Sequence, residues 1–372
     1  MANILLRSPY YISEDIGSDL SAKIIISVGG NVVYTIVKNK PANNNDFVLF
    51  EIAELVRDYI DIKYNGSITA SDLNVNVSYN LSRWSGLNAS GQETNLGTTT
   101  FFGIDGYGYF EEGSNPSVTQ GYMQSNDIIY TLYGEDLRLP IDRNNTTSVT
   151  YLYKGSQTFT KAITSSSTEV FEYIDATDSF KERVTEDCAV NGCGIYEENP
   201  CLDSFLLNND LYLVDEIVLS TTPGTKNVKV ITLNECKFEP IKLTFVNRFG
   251  ALQDLWFFKK SIEKVNTKKE TFNRFTINSN TGVYDTSIHQ NQTFNVNSNK
   301  KLTINTGYVD ESYNDLMQEL MQSEQIWLEL NSVVTPINLD TNSLTFKTSV
   351  NDRLVDYKVD VSYSFDAINN IR

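Results

Sequence analysis

Residues 241–275 read IKLTFVNRFGALQDLWFFKKSIEKVNTKKETFNRF, and this stretch decides the fold class. Two apolar runs flank NRFG (247–250), in which asparagine and glycine supply the backbone freedom that a chain reversal needs. The pattern predicts two strands paired across this corner and then a third strand of alternating charge from Lys259. These residues build a scaffold and carry no catalytic pattern.

The composition extends this prediction to the rest of the chain. Its 372 residues exceed the roughly 250–300 at which a single core stops growing, so two or three domains are expected. Tyrosine and phenylalanine are abundant, at 21 and 19 residues. Strand-forming Thr, Val and Ile are also abundant, whereas runs of helix-forming Ala and Leu are scarce. The sequence therefore predicts a mainly β protein.

Apolar runs bounded by Gly, Pro or Asn recur along the chain. Gly29-Gly30 and Lys154-Gly155 are typical hairpin turns, and FVLFEIAELVRDYI (47–60) changes from strand to helical spacing. Further strands are predicted at 20–38, 73–84, 98–110, 128–134, 149–163, 169–174, 211–220 and 226–233.

One longer helix is predicted near the C-terminus. Apolar residues recur at three- and four-residue spacing through VDESYNDLMQELMQS (309–323), with 310–312 as its N-terminal cap. Strands are predicted around it at 301–308, 325–331, 343–349 and 356–365. A small sheet with one packed helix accounts for this pattern.

These elements predict three domains. An N-terminal β-sandwich takes residues 1–140, a second takes 141–298 with an acidic, cysteine-containing excursion at 175–210, and an α+β domain takes 299–372. Regularly spaced strands favour immunoglobulin-like sandwiches for the first two domains.

The formal net charge of −17 argues against a general nucleic-acid binder, because phosphate neutralisation needs clustered Lys and Arg. The charge is also uneven: residues 169–216 carry thirteen acids, whereas residues 237–274 carry nine bases against four acids. Opposite poles of this kind can dock between neighbouring subunits, or they can be solvated loops and strand faces. The candidate interface residues are Arg248, Lys259, Lys260, Lys268 and Lys269.

Aromatic residues among the glycines of 103–124 form a second candidate surface. Tyrosine and tryptophan stack on sugar rings or on partner side chains when they are exposed. The alternative is that they cover the end of a sandwich or an adjacent subunit. The candidate stacking residues are Trp84, Tyr107, Tyr109 and Tyr122.

The sequence contains no strong motif for a metal site, a cofactor site or a catalytic site. Cys188, Cys193, Cys201 and Cys236 have spacing unlike a zinc knuckle, so zinc, a disulfide and free thiols all stay open. The single histidine, His289, lies in a polar run and has no paired nucleophile signature. No phosphate loop or dinucleotide fingerprint occurs, and no cofactor or metal is expected. A carboxylate-pair glycosidase would leave no motif and stays an alternative.

The N-terminal residues contain no apolar leader segment, and no apolar run reaches the length of a membrane span. The expectation is a chain without a membrane span, made in the cytoplasm.

Several segments taken together resemble virion structural proteins of tailed bacteriophages that infect Bacteroidota, including the crAss-like group. The resemblance covers roughly residues 235–372, and a weaker similarity lies at 21–38 and 50–60. The segments are VNRFGALQDLWFFKKS (246–261), KETF (269–272), LTINTGYVDESYNDLMQELMQSEQIWLEL (302–330) and DYKVDVSYSFDAINNIR (356–372).

The resemblance implies a repeated building block on the tail, collar or fibre side of a particle, and it supplies no catalytic residue. The expectation is a non-enzymatic virion component, made in the host bacterial cytoplasm, that binds copies of itself and other virion proteins. The alternative is a receptor- or glycan-binding tail protein that contacts a cell-surface glycan, and a tail-borne glycosidase is the third hypothesis.

Overall fold

The computed structural model describes residues 2–42, 46–133, 135, 137–154, 158–175, 213–235, 237–278, 280–331, 333–346 and 354–368. Within them strands dominate, and one helix exceeds two turns. The prediction of a mainly β fold with one packed helix is confirmed.

The N-terminal third forms a six-stranded sheet that faces a two-stranded one. Two glycines with positive φ, Gly29 and Gly30, close the predicted hairpin, and alternate residues of the strand before them are buried. The six strands are β1 (Ala2–Leu5), β3 (Ser21–Val28), β4 (Asn31–Asn39), β6 (Asn74–Trp84), β7 (Glu93–Ile104) and β8 (Ser117–Val118), in the order β4-β3-β6-β7-β1-β8. The facing pair is β2 (Tyr11–Asp15) and β5 (Phe47–Glu51), and helix α1 (Ala53–Arg57) follows β5 as predicted.

The middle third also has two facing sheets. The hairpin predicted around Lys154 is confirmed. In the larger sheet, the strand that comes last in the chain pairs in parallel with the strand that comes first in the chain. The five-stranded sheet has the order β12-β11-β14-β15-β9, built from β9 (Ile128–Leu132), β11 (Thr146–Tyr153), β12 (Thr158–Ala162), β14 (Val214–Thr221) and β15 (Gly224–Leu233). The smaller sheet pairs β10 (Arg138–Asp142) with β13 (Phe171–Asp175).

The C-terminal third is one seven-stranded sheet with a helix on it, and it is larger than the small sheet expected. Its strands are β16 (Ile241–Val246), β17 (Leu252–Phe257), β18 (Lys259–Asn273), β19 (Asn291–Asp310), β20 (Ile326–Leu330), β21 (Val333–Leu339) and β22 (Leu354–Tyr363), in the order β17-β16-β20-β21-β22-β19-β18. Helix α2 is Tyr313–Gln322. The proposed boundary between residues 298 and 299 falls inside β19, and the three-domain division stays a prediction.

The predicted corner at 247–250 is confirmed. Asn247 is fully buried, donates from its amide to the carbonyl of Met123 at 2.8 Å, and accepts from the N–H groups of Phe249 and Ala251 at 3.0 and 3.1 Å. Gly250 adopts φ +74°. One asparagine therefore closes the turn and ties it to a distant segment.

Two details of the C-terminal sheet differ from the sequence prediction. Ser312 does not cap α2 through its side chain; instead the Asp310 carboxylate accepts from the Ser312 N–H at 2.9 Å. The strand predicted at 343–349 is wrong for residues 343–346, which pair with no strand among the described residues. Strand β21 lies earlier in the chain than the predicted strand and pairs antiparallel with β20, with Asn331 at positive φ in the connection between them.

Three apolar cores are centred on the three sheet regions, and a fourth joins these regions. The C-terminal core also includes Tyr130 of β9 from the middle region. The fourth draws side chains from the first sheet, from the β10–β13 pair and from the 247–250 corner, so the three regions share buried surface. Its members include Leu5, Tyr64, Phe102, Ile104, Met123, Phe171, Val246, Phe249 and Leu252.

Candidate functional site

Four of the five candidate interface residues lie on β18, an edge strand of the C-terminal sheet. Lys259 makes an ion pair with Glu235 at 2.6 Å, whereas Lys260, Lys268 and Lys269 are exposed. Across the described part of the chain, no carboxylate lies within ion-pair distance of these three lysines. The strand therefore presents the positive charge of these three lysines to solvent, and their role in a subunit interface stays a prediction.

Arg248 lies elsewhere, at the 247–250 corner. Its guanidinium makes an ion pair with Glu112 and lies over the Tyr109 ring, 4.7 Å from the centroid. Its carbonyl accepts from the N–H of Tyr107 at 2.8 Å. Arg248 therefore joins the corner to the segment after β7 and is separated from the β18 lysines.

The structure brings Arg248 together with two of the candidate stacking residues. Tyr107 and Tyr109 contact edge to face at 5.8 Å, and the guanidinium of Arg7 lies over Tyr107 at 4.8 Å. The Tyr107 hydroxyl donates to the side chain of Gln322 on α2 at 2.7 Å. We call the group Arg7, Tyr107, Tyr109, Arg248 and Glu319 the arginine–tyrosine junction.

The sequence did not reveal two members of the junction, Arg7 and Glu319. Glu319 lies on the buried face of α2, accepts from the Ser125 hydroxyl, and accepts from the Arg248 N–H at 3.4 Å. Burial raises the pKa of Glu319 to about 7, and these donors offset only part of that effect. Its three-residue spacing from Leu316 was the only available signal, and acids at such positions are normally exposed.

The tyrosines of the junction titrate far from neutrality. Burial raises the pKa of Tyr107 and of Tyr109, and the nearby Glu319 charge raises both further. Both hydroxyl groups are therefore neutral. The guanidinium groups of Arg7 and Arg248 stack on the two rings, and such cation–π contacts help to hold the segments that carry these residues together.

Tyr122 and Trp84 lie away from the junction's tyrosine pair. The expectation of an exposed Tyr122 is corrected: its ring is buried because it fills the middle core, and its hydroxyl donates to the carbonyl of Asn126 at 2.6 Å. Trp84 pairs with Glu93, at the end of β6 opposite the end that pairs with Ile104, and the ammonium of Lys23 lies over its ring at 4.7 Å. Ten residues of strand separate the two ends of β6, about 33 Å.

The remaining sequence predictions concern the cysteines, the acidic segment, His289, metal binding and membrane spans. The four cysteines, and most of the acidic segment 169–216, lie outside the described residues. His289 is exposed, as expected. The part of the chain that the structure describes holds no cluster of three or more His, Cys, Asp or Glu residues suited to a metal ion. Among these same residues, no helix combines the length and apolar character needed to cross a membrane.

Strands β18 and β19 extend beyond the sheet as a hairpin that the sequence analysis did not identify. Residues 259–273 pair with 291–305, while β22 pairs with β19 only from Lys301 onward. An isolated contact between Ile277 and Tyr284 closes the far end. The sequence signal was the alternation of Ile, Val and Phe with charged residues, which does not show whether a third strand covers them.

No protein-family model matches the chain, and no curated protein matches it. Among solved structures, Drosophila OTK, extracellular domains 3–5, aligns at 8% sequence identity, covering 81% of this chain and 87% of that one, with a TM-score of 0.19. A similarity this low supports no inference about this chain.

Proposed function

We propose that this chain is a non-enzymatic structural protein of a tailed-phage particle, located in the tail, collar or fibre attachment and assembled in several copies. The observation that carries the proposal is the β18–β19 hairpin, which extends from the sheet with exposed apolar and basic side chains. Surfaces of this kind on a folded chain typically mark protein–protein contacts.

The polar clusters of the protein support a building block held rigidly together. Arg138 on β10 makes a two-bond ion pair with Asp254 on β17 at 2.7 Å, and Arg57 on α1 bonds Asp105 at 2.8 Å. Each pair joins elements that are distant in sequence. Such contacts fix the positions of whole sheets, which a repeated subunit needs if its neighbours are to fit.

Glu319 needs separate consideration, because a strongly raised pKa is also a sign of an active site. Its two oxygens are engaged by Ser125 and by the Arg248 N–H, and its side chain is enclosed between α2 and the corner. This environment fits a buried structural carboxyl group better than a group that meets a substrate.

The resemblance of residues 235–372 to virion proteins points in the same direction. That region contains the hairpin, the corner and α2, so the similar segments are those that build the C-terminal sheet.

The glycan-binding alternative has less geometric support. Tyr122 is buried, Trp84 lies at the far end of β6, and guanidinium groups occupy one face each of Tyr107 and Tyr109. A glycan array with the purified chain tests this alternative. Binding that is lost on Tyr109→Ala would favour it over the structural role.

The direct test is the protein content of purified particles. We expect tryptic peptides of this chain in density-purified particles at several copies per particle, and electron cryomicroscopy should locate it in the tail, collar or fibre region. A replication protein from the same genome is the matched control and should be absent. Particles that lack the chain would contradict the proposal.

A second test addresses catalysis. Purified chain should release no sugar from a panel of bacterial polysaccharides. Turnover that is abolished by replacing one carboxylate, with an unchanged circular dichroism spectrum, would overturn the non-enzymatic assignment.

A further inference from the structure

We call the outer part of the β18–β19 hairpin, residues 268–296, the arm. Its base lies near Ser362 and Asp366, and beyond that base it extends away from the other described residues. Among the described residues, β18 pairs only with β19, and the side-chain hydrogen bonds of the arm join residues within the arm. A two-stranded ribbon alone is marginally stable in water. An arm of this length therefore gains most if another surface covers it.

The apolar side chains of the arm identify the face to be covered. Phe272 and Phe294 lie on the same face of the ribbon, with ring centroids 5.6 Å apart. Burying one such side chain contributes about 1.5–3 kcal/mol. Eight apolar residues of the arm are between 41% and 78% exposed: Phe272, Phe275, Ile277, Val283, Tyr284, Ile288, Phe294 and Val296.

Charge indicates which surface covers the arm. The whole hairpin, residues 259–310, carries eight Lys and Arg against four Asp and Glu, which leaves 22 basic and 43 acidic residues in the remainder of the chain. Five of the hairpin cations have no carboxylate within ion-pair distance among the described residues: Lys260, Lys264, Lys268, Lys269 and Arg274. The hairpin is therefore basic and the rest of the chain acidic, and the arm supplies three of these five cations, Lys268, Lys269 and Arg274. The two oppositely charged parts are complementary, and both belong to the same chain.

The alternative of two β18 edges pairing with each other is disfavoured. Lysines line this edge, and like charges on adjoining strands repel, which is how natural sheets protect open edges. The arm therefore fits the acidic body of a second copy better than it fits a second arm.

We propose that the arm of one copy binds the acidic surface of a second copy outside residues 259–310 and buries the Phe272–Phe294 face there. This inference rests on the proposed function, because it assigns the contact through which copies assemble. Arm and acceptor are different surfaces, so each copy donates one arm and receives one. Contacts of this type form rings or filaments, or a dimer when the exchange is reciprocal.

Sedimentation velocity of the full-length purified protein tests the inference. We expect concentration-dependent self-association that weakens between 50 mM and 500 mM salt, because exposed charges are screened. Phe272→Ser with Phe294→Ser, and separately Lys268→Glu with Lys269→Glu, should each weaken association by about tenfold or more, equivalent to 1.4 kcal/mol.

Matched controls keep the property that each arm variant removes. Lys268→Arg with Lys269→Arg keeps both positive charges, and Phe272→Leu with Phe294→Leu keeps both side chains apolar. Both should leave association unchanged. Circular dichroism and thermal melting of every variant establish that the fold is retained.

A crosslinking measurement keeps the test decisive if a variant fails to fold. A photoreactive phenylalanine analogue at position 272 should crosslink to a different copy, at sites outside 259–310, when isotopically labelled and unlabelled protein are mixed. Crosslinks within one copy alone, or to the arm of another copy, would overturn the inference.

The outcomes separate this inference from the proposed function. Association that the arm variants leave unchanged overturns the role of the arm and leaves the structural function standing. A wild-type protein that is monomeric at every concentration also overturns the arm contact, and the particle inventory then decides independently whether the chain is a virion protein.

Discussion

Gly250 shows how one residue sets the distance between two segments. A Cβ atom there would lie 2.9 Å from the backbone nitrogen of Asp105 and 3.0 Å from that of Gly106, and the residue has φ +74°. Gly282 has a similar φ of +66° but nothing within 4 Å. The two glycines share the same backbone requirement and differ only in their surroundings.

We therefore expect Gly250→Ala to lower stability by about 2 kcal/mol or more beyond the effect of Gly282→Ala, since only the former combines a left-handed backbone with a backbone clash. Urea denaturation measures the difference. Equal shifts of the unfolding midpoint in the two variants would show that the 105–106 segment does not approach the corner as described.

Glu319 predicts a pH dependence of stability. Its folded-state pKa of about 7 lies above its usual value of 4.5, so the folded protein keeps a proton that the unfolded chain loses between these values. Stability therefore falls as pH rises through that window and levels off above it. The magnitude is on the order of 3 kcal/mol.

Glu319→Gln should remove this fall, because the amide stays neutral at every pH. Unfolding midpoints measured from pH 4.5 to 8 should flatten relative to the wild type, with the largest gain above pH 7. Glu54→Gln, which replaces an exposed carboxylate on α1, is the control and should keep the wild-type slope. A wild-type slope in Glu319→Gln would contradict the assignment.

At the scale of elements, local patterns placed most strands correctly. The hairpins at Gly29-Gly30 and at 247–250, the strand-to-helix change after residue 47, and α2 were all predicted, because turn residues and apolar spacing are properties of neighbouring residues. The contacts between elements had no such signal. Arg138 on β10 and Asp254 on β17 are separated by 116 residues.

Arg138→Met tests how strongly this pair joins β10 to β17. Both side chains are largely buried, and the guanidinium also donates to Tyr64 and to the carbonyl of Gly66. Removing one partner leaves the Asp254 charge buried, which costs about 3–5 kcal/mol. Thermal and urea unfolding should show this loss.

Two further variants distinguish the burial of an unpaired charge from the simple loss of an ion pair. Lys63→Met breaks the exposed pair with Asp61 and should leave the unfolding midpoint where it was. Arg138→Met with Asp254→Leu should recover part of the loss, because the unpaired charge is then gone. A single variant as stable as the wild type would show that the pair contributes nothing.

At the scale of the molecule, the C-terminal sheet joins segments from both sides of the arm. Strand β16 pairs with β20, and β18 pairs with β19, so strands β16–β18 before the arm tip and strands β19–β22 after it form one sheet. A chain cut at the arm tip should therefore stay together, because strands on both sides of the cut belong to the same sheet.

A site-specific protease sequence inserted between Asn280 and Thr281 should yield two fragments that elute together in native buffer and separate only in denaturant. The uncut insertion variant is the control. Fragments that separate without denaturant would instead favour an independent domain at 299–372.

The sequence by itself determined that the chain is mainly β, where most strands and α2 lie, and where the corner and the basic edge strand occur. The tertiary structure decided that Glu319 and Tyr122 are buried, that Arg248 meets Tyr107 and Tyr109, and that no strand of the described residues covers the arm. The physical reason is the range of the interactions. The alternation of apolar and polar residues and the conformational preferences of turn residues act between neighbours in the chain, whereas burial and side-chain pairing depend on which distant segments meet.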